Sequence, residues 1–155
     1  EWIAREVPDG RSIPVEVGAS MRCDDYGAFG LAFKSAVDLR GSFLRVERYG
    51  RVVTSIENFD LIPGDTTTLM AVRRDAGDRA GLRLTNELAV AAATALSREV
   101  YPGEFVPVAV YFSHDTPEDM SMYEAHFPCP VRRHPRRTGH RADDRCALFL
   151  CVPTA

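Results

Sequence analysis

Apolar residues at helical spacing alternate along the chain with segments suited to strands. Phe29 and Phe33, four residues apart, predict a helix within residues 26–36. Leucine, phenylalanine and valine recur on one face from residue 39 to Val53, which predicts a second helix. Asp38 precedes that helix and can cap it, because its side chain can accept hydrogen bonds from the first free amides.

Two β-rich segments follow these helices. Residues 55–62 and 66–74 suit strands, and Pro63-Gly64-Asp65 between them has the composition of a tight turn, so the three predict a hairpin.

A third helix is predicted over residues 87–100, with Thr85 or Asn86 as its cap. Its alanine-rich middle, residues 89–95, predicts close packing against a sheet or another helix.

The stretch over residues 106–131 combines a strand, a short helix and the start of a second strand. In its first part Val108, Val110 and Phe112 face one way and Ala109 and Tyr111 the other, as in a half-buried strand. Asp115 or Thr116 can then cap a helix that begins near Pro117 and ends at Phe127, before Pro128 and Pro130.

This order of elements predicts a single α+β domain with a mixed or mostly antiparallel sheet and packed helices. We divide the chain into three segments. Residues 1–25 form a helical or loop lead-in, residues 26–131 form the α+β domain, and residues 132–155 form an arginine-rich tail.

Composition places the chain among ordinary globular proteins. Hydrophobic residues make up 45% of its 155 residues, and the net charge of −3 gives no general attraction to nucleic acid. The apolar runs are too short to cross a bilayer, and no signal peptide is visible, so a cytoplasmic protein without membrane contact is expected. The irregular spacing of the four cysteines favours reduced thiols over a disulfide framework. We expect no cofactor.

Several motifs together resemble the N-terminal effector-binding region of AraC/XylS-type transcriptional regulators, in its arabinose-binding-like variety. They are a glycine-flanked apolar segment, residues 26–33, and a helix that ends in an aromatic residue, Tyr49. Residues 108–131 add a His, a Pro, a Tyr and a final Phe-x-Cys-Pro-Val at the family's positions: His114, Pro117, Tyr123, Phe127, Cys129, Pro130 and Val131. The resemblance covers residues 26–131.

The resemblance implies a sensor domain that binds an unknown small-molecule effector, can form a homodimer, and controls a separate helix-turn-helix domain. That DNA-binding half does not follow in this sequence, so we expect a truncated fragment that cannot bind DNA directly. After Val131 the family pattern is lost in an arginine-rich run. The tail is either a divergent end or the product of a shifted reading frame, and in both cases poor packing of the last 24 residues is expected. We favour the frame shift.

Ligand contacts are predicted at three residues that combine an aromatic ring with a polar atom: Tyr49, Tyr111 and His114. Other aromatic residues are assigned to the core. No catalytic residue and no metal ligand is predicted, because the chain lacks the common nucleophile, zinc and phosphate-loop motifs.

Two alternatives stay open. A small enzyme would use His114 and Asp115 as an acid–base pair, although helix capping explains Asp115 equally well. A stand-alone metal-binding or interaction module would use His126 and Cys129 with later histidines or cysteines, whose irregular spacing is unlike that of structural zinc sites.

Overall fold

A computed structural model describes residues 6, 10–55, 57–74, 80–112, 114, 120–133 and 146–153. For residues 73, 74, 80 and 146–153 it describes the course of the backbone alone.

The described helices are α1 (Ile13–Ser20), α2 (Gly27–Lys34), α3 (Leu39–Tyr49), α4 (Ala80–Val100) and α5 (Ser121–His126). Short 3-10 turns, Cys23–Tyr26 and Gly50–Val52, precede α2 and follow α3. The predicted cap of α3 is confirmed, because a carboxylate oxygen of Asp38 accepts a hydrogen bond from the Gly41 amide at 2.6 Å. Val53, predicted on the apolar face of that helix, instead lies beyond its end and is 46% exposed.

Five strands form one sheet in the order β1-β2-β5-β3-β4. They are β1 (Glu57–Pro63), β2 (Thr67–Arg74), β3 (Ala109–Phe112), β4 (Val131–Arg133) and β5 (Cys146–Pro153). Strands β1 and β2 form the predicted antiparallel hairpin, while β3 and β4 pair in parallel. The prediction of an α+β domain with a mixed, mostly antiparallel sheet is therefore confirmed.

Strand β5 corrects the expectation that everything after Val131 packs poorly. It lies between β2 and β3 and pairs antiparallel with both, so that Leu150 opposes Met70 on one side and Val110 on the other. A central strand joins segments far apart in the sequence, which local patterns cannot show. Residues 134–145, and the frame shift with them, lie outside the described residues, and the frame shift stays a prediction.

Helix α4 begins seven residues earlier than the sequence suggested, so Thr85 and Asn86 do not cap it. The Thr85 hydroxyl instead donates to the Gly81 carbonyl at 2.7 Å, a bond that a threonine makes within a helix. The cap predicted at Asp115 or Thr116 lies outside the described residues, and α5 is shorter than predicted.

The core lies between one face of the sheet and the helices. Val110 and Phe112 on β3 and Met70 and Val72 on β2 point into it, together with the buried face of α4. Val108, predicted on the same face as Val110, instead precedes β3 and is 47% exposed. Helix α1 packs against α4 so closely that a Cβ atom on Gly18 would overlap the Leu88 carbonyl. The alanine-rich middle of α4 permits this approach, as predicted. No helix in the described ranges is long and apolar enough to span a membrane.

The described part of the predicted lead-in belongs to this packing. Val15 on α1 is 3% exposed and joins the main core, and Cys23 in the following 3-10 turn is fully buried. The segment boundaries at residues 25 and 131 stay predictions.

Candidate functional site

A glutamate lies on the buried face of α4, among apolar neighbours. Glu87 precedes Val90, Ala91 and Thr94 by three, four and seven residues, which places all four on one stripe of the helix. Glu87 is 5% exposed, and the other three are almost completely buried. A carboxylate in such surroundings requires hydrogen-bond donors, because burial removes its hydration.

The first donor comes from α5. The hydroxyl of Tyr123 donates a hydrogen bond to Oε1 of Glu87 at 2.7 Å, although the two residues lie on different helices. Burial, followed by the charge of Glu87 and this hydrogen bond, raises the pKa of Tyr123 well above its ordinary value. The phenol therefore stays protonated and remains a donor.

The second partner of Glu87 follows β3. Nε2 of His114 lies 3.2 Å from the same Oε1 atom, at a distance where a protonated ring forms an ion pair with the carboxylate. The His114 ring stacks on Phe112 at 5.0 Å between centroids with an 18° angle. Phe112 in turn lies 5.6 Å from the Tyr123 ring. We call Glu87, Phe112, His114 and Tyr123 the Glu87 cluster.

Two further oxygen atoms on α4 are buried and have no hydrogen-bond partner among the described residues. They are Oδ1 of Asn86, next to Glu87 in the sequence, and Oγ1 of Thr94, two turns further along. An unsatisfied buried acceptor costs about 1–3 kcal/mol, so such atoms are uncommon unless a water or ligand satisfies them.

The structure places the three predicted ligand contacts apart. His114 belongs to the Glu87 cluster, whereas Tyr111 lies on the opposite face of the sheet beside Leu69 and Ala71. Tyr49 ends α3 and is 41% exposed, with the Arg48 guanidinium 5.4 Å from its ring. A role of all three in ligand binding stays a prediction.

The alternative sites have less support in the described residues. Asp115 lies outside them, and there His114 contacts Glu87. No group of three or more potential metal-ligating side chains occurs within the described ranges. His134 and His140 are outside those ranges, and the side chains of Cys146 and Cys151 are not described.

A second glutamate, at the other end of α4, has a different environment. Oε2 of Glu99 accepts a hydrogen bond from the Cys23 amide at 2.9 Å, and its Oε1 accepts one from Lys34 Nζ at 3.1 Å. The Cys23 amide, more than the nearby charges of Lys34 and Arg22, lowers the pKa of Glu99. Burial and the Glu99 charge raise the pKa of the Cys23 thiol to about 11, so this thiol is a poor nucleophile. We call Arg22, Cys23, Lys34 and Glu99 the Glu99 cluster.

Arg98 connects α4 with the end of α5. Its Nη2 donates to the His126 carbonyl at 3.1 Å, and its Nε donates to the Phe105 carbonyl at 3.4 Å. Burial, and then the charge of Arg98, lowers the pKa of His126. Helix α5 is thus joined to α4 through Tyr123 and also through its last carbonyl.

Glu87 was missed as a site residue because the sequence placed it at the start of a helix, where an acidic side chain is favourable. One signal was available. An acidic residue that shares a stripe with Val90, Ala91 and Thr94 is out of place on an apolar face. Tyr123 was assigned to the core, where it does lie, but its hydroxyl gave no local signal of its partner.

The model of the arabinose-binding domain at the N-terminus of AraC transcription regulators matches residues 2–148. The chain belongs to this family. The resemblance seen in the sequence is thereby confirmed, and the matched range extends beyond residues 26–131 at both ends. The chain is therefore a ligand-sensing regulatory domain.

The fold agrees with a solved transcription regulator. The crystal structure of transcriptional regulator CdpR from Pseudomonas aeruginosa has a TM-score of 0.72 to this structure at 20% sequence identity. The match covers 98% of this chain and 46% of that chain, so this chain spans less than half the length of CdpR. At that identity the likeness shows a shared fold. Among curated proteins, none matches the sequence.

Proposed function

We propose that this domain binds a small effector at the Glu87 cluster and that binding changes a conformational or dimer equilibrium. In the intact regulator, that change would control a helix-turn-helix DNA-binding domain, while this domain itself reads no DNA bases. The regulator would act in the cytoplasm. Sensing, rather than catalysis, is the function that the family and the geometry support best.

The observation that carries the proposal is the convergence of Tyr123 and His114 on one buried oxygen of Glu87. The three residues come from α5, the end of β3 and α4, so a ligand that interacts with Glu87 changes contacts between all three elements. A ligand shifts an equilibrium only when it binds one state more tightly than the other. Displacement of Tyr123 from Glu87 provides such a difference, because it removes a hydrogen bond that joins α5 to α4.

A panel of metabolites that includes amines, sugars and carboxylic acids tests the proposal by thermal unfolding and by sedimentation. We expect at least one compound to raise the melting temperature of the chain and to alter either its shape or its self-association. The same compound should have a weaker effect on the Glu87→Gln variant. If no compound binds, or if binding is unchanged in that variant, the proposed site is wrong.

The enzyme alternative makes a different prediction for His114. Replacement of His114 by Ala would abolish turnover if the residue were catalytic, whereas a sensor domain has no turnover to lose and only its effector affinity would change. We favour the sensor because the 3.2 Å contact between His114 and Glu87 lies next to the buried rings of Phe112 and Tyr123.

A further inference from the structure

The charge at the Glu87 cluster indicates the chemical class of its ligand. Tyr123 is a neutral donor. In the described part of the chain, the group that can carry a positive charge and lies close enough to Glu87 to form an ion pair is His114. No lysine or arginine contacts Glu87 there. A buried carboxylate is costly unless a cation balances it, so this environment favours a ligand that brings a positive charge.

The groups around this charge suit an organic cation. The rings of Phe112, His114 and Tyr123 lie next to one another, with centroids 5.0 and 5.6 Å apart. Aromatic faces attract ammonium and guanidinium groups through their negative π-systems, most strongly where water is excluded. Phe112 and Tyr123 are also almost completely buried, which favours a ligand with an apolar part.

The hydrogen-bonding capacity of Glu87 also favours a cationic ligand. Within the described part of the chain, Glu87 accepts a single hydrogen bond, from Tyr123, and a carboxylate can accept more than one. An ammonium or guanidinium group presents several N–H donors and no acceptor. A carboxylate ligand would instead bring a second negative charge next to Glu87, which like-charge repulsion disfavours.

We propose that the effector is a small organic cation, with a primary ammonium or guanidinium group on a short apolar chain, and that Glu87 binds this cationic group. The proposal rests on the proposed function, since it names the ligand class of that same site. The cation takes the place of the Tyr123 hydroxyl and of His114 at Oε1 of Glu87. A neutral polyol, whose hydroxyls can also donate to a carboxylate, is the competing class.

Calorimetric titration of the chain with n-butylammonium and n-butylguanidinium tests the ligand class. n-Butanol and n-butyrate have the same apolar chain with a neutral and an anionic end, and L-arabinose represents the polyols. We expect both cations to bind and the butanol and butyrate controls not to bind. Glu87→Gln should weaken cation binding at least about tenfold, because it removes the charge-assisted interaction.

Glu99→Gln is the matched control, since it makes the same change on the same helix outside the proposed site. It should leave the affinity for both cations unchanged. Tyr123→Phe removes the hydroxyl that competes for Oε1 and should tighten cation binding. If Tyr123 only supported the structure of the site, the same substitution would weaken cation binding. This variant also tests the proposal if Glu87→Gln fails to fold.

Equal cation affinity in the wild-type chain and Glu87→Gln would overturn the proposal, and so would an absence of cation binding. Binding of L-arabinose that depends on Glu87 and exceeds that of the cations would overturn the cation class while it supports the proposed function. A metabolite bound without any contribution from Glu87 would instead contradict the proposed function.

Discussion

Helix α4 carries two glutamates, about 18 Å apart along its axis, in contrasting environments. Glu99 accepts a backbone hydrogen bond from Cys23 and faces two cations, Lys34 and Arg22, whose side chains are 46% and 69% exposed. Glu87 is buried, has one neutral donor and contacts a histidine that is charged only when protonated. In the Glu99 cluster, the carboxylate has both a backbone donor and cationic partners, and these contacts join α4 to α2 and the preceding 3-10 turn. The Glu87 cluster has capacity for another donor.

The two ends of α4 therefore have different roles: the Glu99 end stabilises the fold, and the Glu87 end is the proposed effector site. Glu99 holds the 3-10 turn Cys23–Tyr26 and α2 against the end of α4, and it needs no ligand to do so. Glu87 joins the two elements that border the candidate site, β3 and α5, through contacts that a ligand can replace. Substitutions at the two ends of α4 should therefore have effects that differ in kind as well as in magnitude.

The largest effect is expected from Gly30→Ala near the Glu99 cluster. A Cβ atom on Gly30 would overlap the backbone carbonyl of Cys23, and backbone cannot move aside as a side chain can. The free energy of unfolding should fall by about 3 kcal/mol in a urea titration, the upper end of the usual range for overpacking. Gly103→Ala is the control, since its Cβ would meet the Tyr101 ring at an ordinary 3.4 Å. Equal stability of the two variants would contradict the close packing described.

Tyr123→Phe should have the next largest effect on stability. It leaves the buried Glu87 carboxylate without its hydrogen-bond donor, at an expected cost of about 2 kcal/mol in the free energy of unfolding. Tyr101→Phe, at a tyrosine that is 38% exposed, should change stability little by comparison. Urea unfolding of both variants measures the difference. An unchanged free energy of unfolding in Tyr123→Phe would mean that the hydrogen bond to Glu87 does not stabilise the fold.

His126 should make stability depend on pH at the α5 side of the molecule. Its pKa is lowered in the folded state, so the folded protein disfavours the protonated ring. This contribution to stability is complete above the ordinary pKa of 6.5 and is lost as the pH falls below it. In His126→Gln, the free energy of unfolding should fall less steeply between pH 6.5 and more acidic values. Identical pH profiles for the variant and the wild-type chain would refute this.

The smallest effect is expected from Lys34→Met in the Glu99 cluster. The Lys34 ammonium is solvent-exposed, and exposed ion pairs contribute little because water and salt screen them. Glu99 also retains its hydrogen bond from the Cys23 amide in this variant. The midpoint of urea unfolding should shift slightly at low salt and not at all at high salt. A large shift would show that the Glu99 cluster depends on its cations rather than on the backbone donor.

Local chemistry was sufficient to predict much of the fold. The Asp38 cap of α3, the hairpin around Pro63-Gly64 and the close packing of the alanines on α4 all depend on residues near one another in the sequence. The start of α4 was misplaced because Thr85 suits a helix cap and a helix interior equally well. The central position of β5 depends on pairing with β2 and β3, which no local pattern encodes.

The candidate site was only partly predictable for the same reason. His114 was selected for its ring and its polar atoms, and the structure places it against Glu87. His114 lies 27 positions after Glu87 in the sequence, and Tyr123 lies 36 positions after it. Only the packed fold brings these three residues together. Tyr111 was selected on the same grounds as His114, but strand alternation turns it to the other face of the sheet.

The location of the effector site can be tested most directly by NMR of the aromatic rings during titration with the tightest-binding compound of the metabolite panel. The resonances of Phe112 and Tyr123, in the Glu87 cluster, should shift in proportion to occupancy. Those of Tyr26 and Phe29, which pair near the Glu99 cluster at the opposite end of α4, should stay unchanged. Shifts confined to Tyr26 and Phe29, with Phe112 and Tyr123 unaffected, would contradict effector binding at Glu87.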